Sequence, residues 1–199
     1  MGECEKNPGY MLSNCKKSCD AYNKKMGLED NSDIARVRSF FQLSASDIDG
    51  NEMSFQELKD KVTVVVNVAS HCGYTESHYR GLVELYNAVP RDYVKILAFP
   101  CNQFGAQEPE ECPLIKRFAE SKGVEFTMMD KIEVNGPKAS PVYRFLKREA
   151  GPPHIQWNFA TYFVVDPSGK VRSFSGLEPM DLLDLITSIL NGEEEEEEL

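Results

Sequence analysis

The stretch Lys61–Ala69, KVTVVVNVA, is the most constraining feature of the chain. Successive side chains of an extended backbone point to opposite sides, so its β-branched residues make both faces apolar. Such a strand must be covered on both faces and belongs at the centre of a sheet between helices. Thr75–Ala88 then places Tyr79, Leu82, Val83, Leu85 and Tyr86 at helical spacing, and Val94–Phe99, VKILAF, reads as a second buried strand. Strand, helix and strand in that order predict a right-handed parallel crossover.

The flanking segments are antiparallel or helical. Ser46–Phe55 alternates around Asp49-Gly50, a hairpin turn pair. Pro113–Ser121 reads as a helix with proline in its first turn, and Ser140–Glu149 as another short helix. Ala160–Val165 and Lys170–Phe174 flank the turn DPSG and form a second hairpin. Pro179–Leu190 is an amphipathic closing helix through Leu182, Leu183, Leu185, Ile186 and Ile189. The expected fold is α/β, a mixed central sheet flanked by helices, which is the arrangement of thioredoxin-like folds. The expected organisation is a cysteine-rich segment over 1–28, a linker or short helix over 29–43, one globular domain over 44–191 and an acidic tail over 192–199.

Charge and hydropathy exclude several functions. The chain carries 22 Lys and Arg against 32 Asp and Glu, a formal net charge of −10, whereas a nucleic-acid binder needs a basic face. Glu193–Glu198 is a solvated run, and EEEEEEL lacks the Lys-Asp or His-Asp start of a retrieval signal. The longest apolar run, Val62–Val68, is interrupted by Thr63 and Asn67 and falls far short of the roughly 18 residues of a membrane helix. Met1 is followed by polar Gly2, Glu3, Cys4, Glu5 and Lys6, which is not a secretory-signal pattern.

The six cysteines fall into two groups: Cys4, Cys15 and Cys19 near the start, and Cys72, Cys101 and Cys112 in the body of the chain. Cys72, in the sequence Ser70-His71-Cys72-Gly73, lies between the carboxyl end of the buried strand and the start of the next helix. Open α/β sheets place their sites there, and free amides and the helix dipole at that point favour a thiolate over a thiol. Three histidines and no Cys-x-x-Cys pair argue against a zinc site and against a disulfide-isomerase centre.

Four segments then occur in order: NVASHCGYT (Asn67–Thr75), LAFPCNQFGAQEP (Leu97–Pro109), KIEVNG (Lys131–Gly136) and WNF (Trp157–Phe159). Together they resemble the glutathione peroxidase family, and the likeness runs from Ser44 to Leu190. The resemblance implies a thiol-dependent peroxidase acting on hydrogen peroxide or on organic and lipid hydroperoxides, without cofactor or metal. Cys72 stands where many family members carry selenocysteine. The Gln, Trp and Asn that surround it in the family are matched here by Gln103, Trp157 and Asn158. These residue types suit the chemistry. A thiolate attacks one peroxide oxygen, and the other leaves with growing negative charge that fixed donors or a proton must meet. The amides of Gln103 and Asn158 and the indole N–H of Trp157 are such donors.

Attack leaves Cys72 as a sulfenic acid, which condenses with a second thiol. In thioredoxin-dependent members the resolving cysteine occupies the position of Glu120. Cys101 matches the resolver of endoplasmic-reticulum members that act with protein disulfide isomerase. Cys112 stands eight residues before Glu120, and its neighbours Glu110 and Glu111 are expected to raise its pKa. Both remain candidates, and the reductant is glutathione, thioredoxin or a protein disulfide isomerase-type protein. The short segment between Gly136 and Trp157 resembles the monomeric branch, and Thr161 replaces a lysine common after WNF.

Gly2–Cys19 resembles part of the ShK-toxin-like module, with Cys4, Cys15 and Cys19 matching its third, fourth and fifth cysteines. In that module the third and fifth pair, so the resemblance implies a Cys4–Cys19 disulfide, an oxidising compartment and a longer parent chain. The secretory pathway or endoplasmic reticulum is therefore expected, with the cytoplasm as the alternative. Two other functional readings stay open. One is a redox relay or sensor that passes oxidation of Cys72 to a partner protein. The other is a non-catalytic binding protein built on the ShK-like piece.

Overall fold

The structure is a computed structural model that describes residues 31–193. The ShK-like segment, with its Cys4–Cys19 pairing, and Glu194–Glu198 lie outside them. A hairpin comes first, β1 (Ser44–Ser46) pairing antiparallel with β2 (Glu52–Ser54). Asp47 Oδ1 accepts the amides of Asp49 and Asn51, each at 2.9 Å, and Gly50 takes φ 84°, the left-handed conformation that glycine tolerates.

The main sheet contains β3 (Val62–Val68), β4 (Val94–Pro100), β5 (Thr127–Met128), β6 (Thr161–Val165) and β7 (Val171–Ser175) in the order β5-β4-β3-β6-β7. The strand β3 is central and buried along its whole length. It pairs parallel with β4, Val64 opposite Ile96, and antiparallel with β6, Val64 opposite Val164. The helices are α1 (Thr75–Ala88), α2 (Cys112–Ser121), α3 (Pro141–Ala150) and α4 (Leu183–Asn191). The expected mixed sheet and parallel crossover through α1 are present.

The two faces of this sheet carry separate cores. Val62, Val64, Val66 and Val68 join Ile96, Ala98, Tyr162 and Val164 beneath α1, α2 and α4, which contribute Tyr79, Leu82, Ile115 and Ile186. Val65, Leu97, Phe99, Phe163 and Val165 face the other way, against α3 and the amino-terminal segment, with Phe40, Phe55, Phe145 and Leu146. Each large apolar side chain fully buried this way contributes on the order of 1.5–3 kcal/mol.

The structure differs from the sequence reading at three places. The strand β5 spans two residues and has no alternating pattern to read. The expected closing helix is split into a 3₁₀ turn at Pro179–Leu182 and α4, and Pro179 packs so closely on α1 that a Cβ at Gly81 would lie 3.0 Å from its ring. The segment expected as a linker or short helix packs into the core through Ile34, Phe40 and Phe41. Asp33 takes a two-point ion pair from Arg144 at 2.6 and 2.5 Å, and Arg148 donates to the carbonyls of Ile34 and Val37 at 2.8 Å each.

Candidate active site

The turn after β3 carries Cys72 into the core beneath α1, where it is 8% exposed. Thr75 organises this turn. The Cys72 amide donates to Thr75 Oγ1 at 3.0 Å, that hydroxyl donates to the Ala69 carbonyl at 2.7 Å, and the Thr75 amide donates to the Cys72 carbonyl at 3.1 Å. The first turn of α1 is thus held from within, while Tyr74 before it makes no side-chain cap. The Cys72 amide is thus engaged by the Thr75 hydroxyl.

A second set of bonds gathers around the turn. Asn67 is fully buried in β3. Its Nδ2 donates to Asn158 Oδ1 at 3.0 Å and to the Trp157 carbonyl at 3.3 Å, and its carbonyl accepts the Phe159 amide at 2.8 Å. These bonds hold Phe159 at φ 63°, a left-handed conformation that costs a non-glycine residue on the order of 1–2 kcal/mol. Asn158 Nδ2 donates to Gln107 Oε1 at 3.4 Å, and the Gln107 carbonyl accepts the amide of His71, the neighbour of Cys72, at 3.0 Å. His71, Gln107, Asn158 and Asn67 therefore form one connected hydrogen-bonded chain. Trp157 is not a core residue: it is 38% exposed and packs on Phe104 with ring centres 5.7 Å apart.

Gln103 is directed elsewhere. Its Oε1 accepts the amides of Val134 and Asn135 at 2.7 and 3.0 Å, and its Nε2 donates to the Asn135 carbonyl at 2.8 Å. It belongs to the wall of an open polar groove with Ser44, Lys131 and Lys138. The reversal at Gly105 and Ala106, with φ 61° and 51°, separates the two glutamines of LAFPCNQFGAQEP, so Gln107 reaches Asn158 and Gln103 does not. The sequence reading therefore misses Gln107 and Asn67. A polar residue at the middle of an otherwise apolar buried strand was the available signal for Asn67.

The other two thiols are also placed apart. Cys101 is fully buried in the core beneath α3, on the sheet face opposite to the core that contains Cys72. Burial pushes its thiol pKa up to about 11. Cys112, at the start of α2, donates to Asp130 Oδ1 at 3.0 Å. Its pKa is raised, first by burial and then by Asp130, rather than by the neighbouring Glu110 and Glu111. All three are free thiols.

Comparison with known proteins decides the family, because residues 40–147 match the glutathione peroxidase family. This chain belongs to the glutathione peroxidase family. It is 44% identical over 159 residues to probable glutathione peroxidase 8 of Arabidopsis thaliana, covering 77% of this chain and 95% of that protein. It is 42% identical over 168 residues to glutathione peroxidase-like peroxiredoxin 1 of Saccharomyces cerevisiae, covering 81% and 99%. A putative chloroplastic glutathione peroxidase 7 of A. thaliana is 47% identical over 141 residues, 69% of this chain and 60% of that longer protein. The crystal structure of T. cruzi GPX1 superimposes with a TM-score of 0.64 at 32% identity, over 77% of this chain and 97% of that one. A thioredoxin-family thiol:disulfide interchange protein from Chlorobium tepidum, with a TM-score of 0.58 at 21% identity over 74% and 92%, shares the fold. The chain is thus a thioredoxin-like member of a family of peroxide-reducing, thiol-dependent oxidoreductases, and these matches do not favour the relay reading. No helix among the described residues is long and apolar enough to cross a membrane.

Proposed function

We propose that this chain reduces hydrogen peroxide and organic or lipid hydroperoxides through Cys72. The observation that carries the reading is the hydrogen-bonded chain His71–Gln107–Asn158–Asn67 around the Cys72 turn. The Cys72 thiolate attacks the nearer peroxide oxygen, the O–O bond breaks, and the farther oxygen leaves with the electron pair and takes a proton to become water or an alcohol. Cys72 is left as a sulfenic acid. We assign Gln107, rather than Gln103, as the glutamine that acts with Asn158 Nδ2 and the indole N–H of Trp157 on the developing negative charge. A first reductant thiol then displaces water from the sulfenic acid. A second displaces the Cys72 thiolate from that mixed disulfide and leaves the two reductant sulfurs joined.

The reductant is glutathione, thioredoxin or a protein disulfide isomerase-type protein. The buried position of Cys101 and its raised pKa oppose a resolving role, so in this reading the thiol that displaces water from the sulfenic acid comes from the reductant or from Cys112 after movement of α2. The short segment between Gly136 and Trp157 supports a monomer. Cys4, Cys15 and Cys19 support an ShK-like segment before the peroxidase domain and a place in the secretory pathway or endoplasmic reticulum.

Peptide mapping after one equivalent of hydrogen peroxide, with free thiols alkylated, tests the reading. The expected product is sulfenic acid on Cys72, converted to a mixed disulfide by added glutathione. A Cys72–Cys112 disulfide makes the cycle an internal two-cysteine one. Unmodified Cys72 overturns the reading.

A further inference from the structure

Glu108 is a charged residue type with no solvent exposure, and it follows Gln107 directly. Its backbone amide donates to Asn102 Oδ1 at 2.8 Å, which pins the segment after β4. Its Oε2 accepts the hydroxyl of Ser70 at 3.1 Å, two residues before Cys72. Its other oxygen, Oε1, is buried and has no hydrogen-bond partner. Burial of a carboxylate with a bare oxygen is costly, whereas a neutral acid is tolerated. The Glu108 pKa is accordingly raised by burial, with Ser70, His71 and Lys131 acting in the opposite direction. The dipeptide Gln107–Glu108 therefore grips the nucleophile's turn at two successive residues. The carbonyl of Gln107 takes the His71 amide and the carboxyl of Glu108 takes the Ser70 hydroxyl, while the Gln107 side chain meets Asn158.

We propose that Glu108 is a positioning residue for peroxide attack: its buried carboxyl holds the Ser70–His71–Cys72 turn against the Gln107–Asn158 pair. It touches neither peroxide nor sulfur and acts through Ser70. Glu108 lies deep and is met by neighbours from several elements: Ser70 and His71 in the turn, Asn102 after β4, and Lys131 after β5. The inference rests on Cys72 being the peroxide-reactive thiol.

The test compares two reactions of Cys72 in the full chain. Peroxide attack needs the fixed geometry of the turn, whereas alkylation by iodoacetamide needs only an ionised and accessible sulfur. Glu108→Ala is expected to lower the second-order rate of Cys72 oxidation by hydrogen peroxide by about tenfold or more, since small misplacements of a reacting group are that costly. The iodoacetamide rate at the same pH is expected to stay within about twofold, because thiolate fraction and access set it. Glu108→Gln, neutral and of the same shape, is expected to recover most of the lost peroxide rate. Ser70→Ala removes the hydroxyl that the carboxyl grips, and is expected to lower the peroxide rate in the same selective way. This second variant decides the matter if Glu108→Ala does not fold. Wild-type peroxide rates in Ser70→Ala, or equal losses with both reagents, overturn the proposal. Wild-type Cys72 that is inert to peroxide but alkylated normally sinks the peroxidase reading, and this inference with it.

Discussion

Cys72 and Cys101 each follow the carboxyl end of one of the two paired parallel strands β3 and β4, and the fold treats them differently. Cys101 follows β4 without a break, and its amide continues the ladder by donating to the Val68 carbonyl at 2.9 Å. It keeps the alternation of the strand, so its side chain falls with Leu97 and Phe99 on the α3 face. Cys72 comes four residues after Val68, in a turn that the Thr75 hydroxyl shapes at the mouth of α1. Cys101 is fully sealed in the α3-side core, whereas Cys72 keeps 8% exposure in a turn whose His71 amide is bonded to the Gln107 carbonyl. A cysteine at the carboxyl end of a strand is thus a candidate only when the backbone has left the strand's alternation.

The sharpest way to break this comparison is to remove each sulfur in turn. Cys72→Ser is expected to lower thiol-dependent peroxide consumption by more than about a thousandfold, since a hydroxyl has no comparable nucleophile at neutral pH. Cys101→Ser is expected to keep that activity within a fewfold and to lose about 1–3 kcal/mol of stability, because it buries a hydroxyl in an apolar core. Abolished activity in folded Cys101→Ser would restore it as a resolving cysteine.

The two glutamines give the next largest contrast. Gln107→Ala and Trp157→Ala are expected to slow Cys72 oxidation by about ten- to a hundredfold in stopped-flow measurements, the scale of losing a fixed donor at a developing charge. Gln103→Ala is expected to act on stability instead, by roughly 1–3 kcal/mol in denaturant titration, because the Val134 and Asn135 amides lose their acceptor. Exchanged phenotypes would return Gln103 to the site.

Alkylation order sharpens the comparison without mutation. Iodoacetamide at pH 8 is expected to label Cys72 first, then Cys112, and to label Cys101 only on unfolding, because that thiol is sealed and its pKa stands at about 11. Early labelling of Cys101 would show that the α3 face opens readily.

The smallest effect concerns how residues 31–43 are tied to the α3 face. Asp33→Asn is expected to cost about 0.5–1 kcal/mol, limited by the exposure of Asp33 to solvent. The Asp33 pKa is lowered, first by the hydrogen bond from Arg144. A depressed carboxylate pKa stabilises the fold above the unfolded value and stops doing so as pH falls through the folded one. The difference between the variant and the wild type should therefore be present at pH 6 and vanish under acid, in urea titrations at both pH values. A constant difference would show that Asp33 acts through packing alone.

Local pattern was enough for the strand and helix order, because the continuous apolar runs of Val62–Val68 and Val94–Pro100 and the period-3.6 hydrophobicity of Thr75–Ala88 are visible without reference to anything distant. Pattern and motif also placed Cys72 at the turn where α/β sheets carry their sites. Three features had to wait for the folded chain. Gln107 and Gln103 are chemically identical and four residues apart, and only the reversal at Gly105 and Ala106 sends one to Asn158 and the other to the loop at Val134. Asn67 looks like a flaw in an apolar strand until Trp157 and Asn158, some 90 residues away in sequence, arrive to accept its hydrogens. Glu108 reads as one more acid in an acidic chain until burial under the Cys72 turn brings its carboxyl against the Ser70 hydroxyl. In each case the partner is remote in sequence, and the direction of a polar side chain is set by the partner that relieves its burial.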